Sequence, residues 1–275
     1  MNITPLIPNA HVNIVEKTKP IIIPFGPPCC GKLLLIHRLF KYLYSNGLCV
    51  DMDSIFLPPH LFKIVEKDVH NFLWNYTNHR RPMIPIMFRV INYGKILCHL
   101  LYQKGESYYD PYNTGSPIRL LEILNAPNKK IWLFLLEINW GSTNDRDNYV
   151  RRIIELSHLF RKSDEVIFVV PKIDQHHILY NKYGRVDLNI LWRQVNNQYY
   201  RLFEHFKTKN FFWRFLKPYT FDFCPFSSGC FSRGIDNREV FVSGEDVFPE
   251  YLWKLINPTL TQKTFFNNFS GHSAS

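Results

Sequence analysis

At 275 residues, with 46% hydrophobic and 20% charged side chains, the chain has enough apolar material for a sizeable core and reads as one large globular domain, neither fibrous nor disordered. The formal charge of +10 is compatible with a polyanionic partner, but the basic residues come in scattered pairs (Arg80-Arg81, Lys129-Lys130, Arg151-Arg152, Arg161-Lys162), which disfavours a nucleic-acid or membrane-surface role. The longest strongly apolar run, Ile131 to Leu136, is far short of the ~20 residues of a membrane span, and MNITPLIPNAHV has no basic start followed by an apolar core. The cysteines at 29, 30, 49, 98, 224 and 230 form no C-x-x-C and no zinc spacing, so reduced thiols and a cytoplasmic setting are expected.

Residues 1–18 are a polar, proline-punctuated arm. Lys19 to Phe25 is a continuous apolar run of the kind buried on both faces of a parallel sheet. Gly26-Pro27-Pro28-Cys29-Cys30-Gly31-Lys32 follows, and then a helix-period segment with Leu35, Leu39 and Leu43 on one face, closed by Asn46-Gly47. This is G-x-x-x-x-G-K in the strand, loop and helix setting that gives the motif its meaning. Backbone N–H groups of such a loop curl around a phosphate, the helix N-terminus adds fractional positive charge, and the lysine reaches the terminal phosphates. The next position, where a serine or threonine hydroxyl would reach Mg²⁺, is Leu33, which cannot ligate a metal. Phosphate cradling survives that change, whereas metal-assisted hydrolysis does not follow.

Apolar residues at 61, 65, 69, 72 and 76 predict a second amphipathic helix over His60 to Tyr76. Ile86 to Asn92 and Ile96 to Tyr102, separated by Tyr93-Gly94-Lys95, predict a β-hairpin ending at Lys104-Gly105-Glu106, with a loop up to Pro117. Ile131 to Glu137 is a further strand. Ser142, Thr143 and Asp145 are candidate caps for a helix burying Tyr149, Ile153, Leu156 and Phe160. Glu165 to Val170 is the next strand and runs into Pro171-Lys172-Ile173-Asp174. Leu191 to Phe206 is helical by its spacing, Tyr219 to Phe226 is a strand leading into Ser227-Ser228-Gly229, and a helix over Pro249 to Ile256 precedes a polar tail. Strands alternating with helices predict an α/β fold with its site at the C-terminal edge of the sheet.

The order of these pieces resembles the Ras-like P-loop GTPases of the TRAFAC class, over roughly residues 19 to 258. It runs GPPCCGKL (26–33), a hairpin ending YQKGE (102–106), a strand and helix, VIFVVPKID (166–174) and CPFSSG (224–229). The resemblance implies a three-layer P-loop NTPase fold, GTPase-like, with a mostly parallel sheet and one antiparallel hairpin strand. The domain would span 19–258 with a helical insertion at about 55–80, between the arm 1–18 and a disordered tail 259–275.

It also implies site residues. Gly26, Pro27, Pro28, Cys29, Cys30, Gly31, Lys32 and Leu33 would surround the phosphates of GTP or GDP. Gly105 would meet the γ-phosphate, Lys172 and Asp174 the guanine, and Ser227 and Ser228 the base carbonyl. Glu106 falls where the family orients water, and Thr77 and Thr114 both compete for the switch threonine. Departures from the family pattern are Leu33 and Tyr102, which delete oxygen ligands of Mg²⁺, and Pro171, which stands where the family has asparagine. The expectation is a guanine-nucleotide-binding protein with weak or absent Mg²⁺-dependent hydrolysis, at most a slow GTPase, with Mg²⁺ and a protein partner left open. Two other readings stand beside it. One is a scaffold of the same fold that needs no nucleotide. The other is a nucleoside or nucleotide kinase using the acids of Cys49-Val50-Asp51-Met52-Asp53, for which no arginine-rich lid segment is evident.

Overall fold

Continuous apolar strands can be buried on both faces only inside a layered α/β sheet, and that is where the computed structural model places them. It describes residues 16–53, 86–103, 118–181, 185–208, 220–233 and 239–261. The readings for residues 1–15, the helix His60 to Tyr76, Thr77, Gly105, Glu106, Thr114 and the tail from 262 lie outside the described residues.

The elements are β1 (Ile21–Phe25), α1 (Lys32–Ser45), β2 (Cys49–Met52), β3 (Ile86–Asn92), β4 (Lys95–Tyr102), α2 (Ile118–Asn125), β5 (Lys130–Leu135), α3 (Thr143–Leu156), β6 (Glu165–Val170), α4 (Leu188–His205), β7 (Asp222–Pro225), β8 (Cys230–Arg233), β9 (Glu239–Ser243) and α5 (Val247–Thr261). Seven strands form one sheet in the order β2-β3-β4-β1-β5-β6-β7. β1 pairs in parallel with β4 and β5, and β6 in parallel with β5 and β7, while β3 is antiparallel to β4 and β2 antiparallel to β3.

The expected hairpin is β3–β4, turning at Tyr93-Gly94. Four elements were not legible in the sequence. β2 is four residues long with alternating burial, α2 is eight residues long and begins just past Pro117, and β8–β9 is a short hairpin between the last sheet strand and α5.

The two faces of the sheet carry separate cores. Ile23, Phe25, Trp132, Phe134 and Phe168 pack with Tyr149 of α3 and Phe203 of α4. Ile22, Leu133 and Val169 pack on the other face with Leu39 and Phe40 of α1 and Leu252 and Trp253 of α5. Ser142 caps α3 by accepting from the Asp145 N–H (3.3 Å), and Asp187 caps α4 by accepting from the N–H groups of Asn189 (2.9 Å) and Ile190 (3.1 Å). Burial at the start of β5, with Arg161 nearby, pushes the Lys130 ammonium down to about 8, and its amine donates to the Ala126 carbonyl. No helix among the described residues is long and apolar enough to cross a membrane.

Candidate functional site

Because β1, β4, β5, β6 and β7 are parallel, their C-terminal ends share one edge, and the loops after β1, β5, β6 and β7 meet there. The loop after β1 closes on itself. A Cβ on Gly26 would lie 2.6 Å from Cys30 Sγ and 3.1 Å from Leu135 Cβ, so only glycine fits where the chain leaves the strand. Gly31, with φ +92°, turns the chain into α1, and Cys29 also lies in the left-handed region at φ 61°. Helical hydrogen bonding begins with Leu35 N–H to Gly31 O (2.9 Å), so the amides of Lys32, Leu33 and Leu34 precede the first helical bond. No acidic residue lies in that first turn and no side chain caps it. The positive end of α1 is thus presented to whatever enters the loop.

Lys32 lies across the inside of the loop, 7% exposed, and donates to the carbonyls of Gly26 (2.6 Å) and Pro27 (2.6 Å). Its ammonium is 3.6 Å from Cys30 Sγ. Cys30 is completely buried, and burial raises its thiol pKa despite the neighbouring Lys32. The positive helix end therefore does not activate Cys30 as a nucleophile, whereas Cys29 is exposed. All six cysteines are free thiols.

The loop after β6 comes to the phosphate loop from the side. Lys172 is left-handed (φ 57°), and its amine donates to Cys29 O (2.9 Å) and pairs with the carboxylate of Glu137, just beyond β5. Glu137 is itself held, because the Tyr199 hydroxyl donates to its main-chain carbonyl (2.7 Å) and Trp140 Nε1 donates to that hydroxyl. Ile173 N–H bonds to Phe226 O (3.4 Å), which joins this loop to the one after β7. Asp174 is exposed. Ser227 and Ser228 are buried, Ser227 Oγ accepts from Gly229 N–H (3.1 Å), and Ser228 Oγ is buried without a hydrogen-bond partner. Glu137 and Tyr199 lie in predicted elements and Trp140 just beyond one, but none carries a motif that marks it as a site residue, since they act through contacts made only in the fold.

Among the described residues, the positions that the resemblance assigns to a cation offer it no free oxygen ligand. Tyr102 belongs to the apolar cluster between the sheet and α1, and the partly buried Leu33 packs against it. The nearby carboxylate of Glu137 is paired with Lys172. Asp51 is likewise engaged, accepting from Arg89 Nε (2.7 Å) and Nη2 (2.8 Å) across the β2–β3 ladder.

A lysine-bearing loop closed by a left-handed glycine, between the central strand of a mostly parallel sheet and the helix behind it, defines an α/β P-loop fold. The sequence matches no protein-family model, and no curated protein sequence matches it. Among solved structures, the chain is similar to the chloroplast translocon components atToc33 and psToc159 at 10% identity and TM-score 0.48, covering 90% of this chain and 86% of that one. It is similar to the signal recognition particle receptor SRb-GTP/SRX complex of Chaetomium thermophilum at 13% identity and TM-score 0.43, covering 87% and 97%. It is also similar to the Saccharomyces cerevisiae Ski7 GTPase-like domain, bound to GDP and inorganic phosphate, at 16% identity and TM-score 0.47, covering 90% and 51%. These are distant likenesses, and the class of fold rests on the strand order and the loop.

Proposed function

We propose that this chain is a cytoplasmic guanine-nucleotide-binding protein of GTPase-like fold, holding GTP or GDP by its phosphates and base, with weak or absent Mg²⁺-dependent hydrolysis. The observation that carries the reading is the phosphate loop. It has the amides at the α1 N-terminus, a buried Lys32 on loop carbonyls, and Lys172 anchored on its rim. Gly26 to Leu33 would line the phosphates, Lys172 and Asp174 the guanine, and Ser227 and Ser228 the base carbonyl. Gly105 and Glu106 keep the roles the resemblance implies.

Packing of Tyr102 into an apolar cluster, and of Leu33 against it, also favours a second reading, a scaffold that keeps the fold without needing nucleotide. Kinase chemistry has less support, since Asp51 is taken up by Arg89. Calorimetry with GDP and ADP, with and without Mg²⁺, separates these readings. Tighter GDP binding that is insensitive to Mg²⁺ is the expected result. No binding to either nucleotide would favour the scaffold, and tighter adenine binding the kinase.

A further inference from the structure

The hairpin β8–β9 leaves the Ser227-Ser228-Gly229 loop directly and lies against α1, the helix that begins in the phosphate loop. Gly229, at φ +85°, is packed so closely on the returning chain that an added Cβ would lie 2.4 Å from Ser243 O and 2.9 Å from Gly244 Cα. On the opposite side of that contact, a Cβ on Gly244 would lie 3.0 Å from Gly229 Cα and 3.3 Å from both Cζ and Nη2 of Arg38. The Arg38 guanidinium, 3% exposed, donates to Asp246 Oδ1 (3.0 Å) and Glu245 O (3.3 Å) and lies over the Phe241 ring at 4.5 Å. Lys41, one turn further along α1, lies over the same ring at 4.3 Å. One side chain of α1 therefore holds both ends of the segment that fixes Gly229.

We propose that Arg38 is a positioning residue for the base of the bound nucleotide: through Phe241, Gly244 and Asp246 it clamps the hairpin onto α1 and so sets the Ser227-Ser228-Gly229 loop relative to the phosphate loop. The inference rests on the guanine-nucleotide reading above. Its physical basis is that Gly229 and Gly244 are in backbone contact, so the loop cannot shift unless 243–246 shifts too. That segment is anchored by a charge-assisted hydrogen bond and a cation lying on an aromatic face. Phosphate recognition lies at the N-terminus of α1, before Arg38 in the same helix, and uses amides and Lys32 that make no contact with the clamp residues.

The test compares a ligand that has a base with one that lacks it. Affinities for GDP and for inorganic pyrophosphate are measured by calorimetry on the full chain for the unaltered protein, Arg38→Met, Asp246→Asn and Gly244→Ala. Hydrogen exchange at the Ser228 and Gly229 amides is followed in the same variants. Arg38→Met and Asp246→Asn should weaken GDP about two- to thirtyfold, leave pyrophosphate unchanged and speed exchange at those amides. Gly244→Ala, which wedges a methyl group into the contact, should do the same while Arg38 keeps its charge. Should Arg38→Met fold poorly, Asp246→Asn at an exposed carboxylate carries the test. Equal losses for GDP and pyrophosphate, or unchanged exchange at 228–229, would overturn the proposal. If the unaltered protein binds pyrophosphate but gains nothing from the base, the guanine reading itself fails, whatever the variants show.

Discussion

The amine of Lys172 donates to the main-chain carbonyl of Cys29 at 2.9 Å, so a side chain from the loop after β6 closes against the rim of the phosphate loop. The same amine is paired with Glu137, whose backbone carbonyl is fixed by Tyr199. The loops after β1 and β6 are thereby tied together, although Pro171 offers no side-chain amide to do so.

Glu137→Gln should therefore weaken guanine nucleotides. The ion pair is half-buried, so its loss leaves a poorly compensated lysine and a left-handed Lys172 without its anchor, a change of about 1–2 kcal/mol or roughly five- to thirtyfold in Kd. Calorimetry with GDP is the measurement. An unchanged Kd would mean that the Cys29 contact alone holds the loop.

Lys32→Ala removes a charge-assisted contact to phosphate worth about 1.5–3 kcal/mol, and affinity for both GDP and pyrophosphate should fall at least about tenfold. Its amine now sits on the carbonyls of Gly26 and Pro27, so loss of the side chain also frees the loop to open. Retained affinity in a folded variant would remove the phosphate-loop reading. Asp174→Asn, by contrast, should erode the preference for guanine over adenine and leave pyrophosphate alone, because an amide presents the wrong groups to guanine N1 and N2.

The two cysteines of the loop should behave oppositely toward an alkylating reagent at neutral pH. Cys29 is exposed and should react, more slowly once GDP fills the loop. Cys30 is buried with a raised pKa, which keeps it as an inert thiol until the protein opens. Peptide mapping of alkylated protein checks this, and faster labelling at Cys30 than at Cys29 would contradict the burial.

The parts of this fold legible in the sequence are those fixed by local pattern. Ile21–Phe25, Lys130–Leu135 and Glu165–Val170 are apolar on both faces, Ser142 caps α3, and G-x-x-x-x-G-K needs only its own glycines to form. What escaped depends on contacts distant in the chain. β2 exists because Asp51 and Val50 find Arg89 and Val90 across a ladder, and β8–β9 because Phe241 finds Arg38 and Lys41. The role of Glu137 is of the same kind, since nothing at position 137 announces a partner at 172.

The metal prediction follows from the packing of Leu33 and Tyr102. Nucleotide affinity should change little between Mg²⁺ and a chelator, and turnover should be very slow. Leu33→Thr restores a hydroxyl at a half-buried position and should fold. Tyr102→Asp places a carboxylate at a site 6% exposed and should cost at least about 3 kcal/mol of stability unless a cation pairs with it. The double variant should therefore gain both Mg²⁺-dependent GDP binding and Mg²⁺-dependent thermal stability. Rapid Mg²⁺-dependent GTP hydrolysis by the unaltered protein would refute this account and point to other ligands, such as Glu106.

Acid should destabilise the contact between α1 and the β8–β9 hairpin. His37 on α1 is 1% exposed, and burial together with the adjacent charges of Lys41 and Arg38 pushes its imidazolium down to about 4 from an ordinary 6.5. Its ring lies 6.1 Å from Phe241, inside the contact between α1 and the β8–β9 hairpin. Above pH 6.5 the ring is neutral in both folded and unfolded chains, so it has no effect on stability there. As the pH falls from 6.5 to 4 the unfolded chain takes up a proton that the folded one refuses, and stability declines by at most about 3 kcal/mol before levelling off. Urea unfolding measured across that window should show this loss, with the hairpin loosening first as amide exchange at 241–243. His37→Gln, which is polar but does not titrate there, should flatten the profile. If the two proteins lose stability in parallel between pH 6.5 and 4, the decline belongs to other groups, such as carboxylates or His99, whose imidazolium burial also disfavours, and His37 is not held neutral beneath the hairpin.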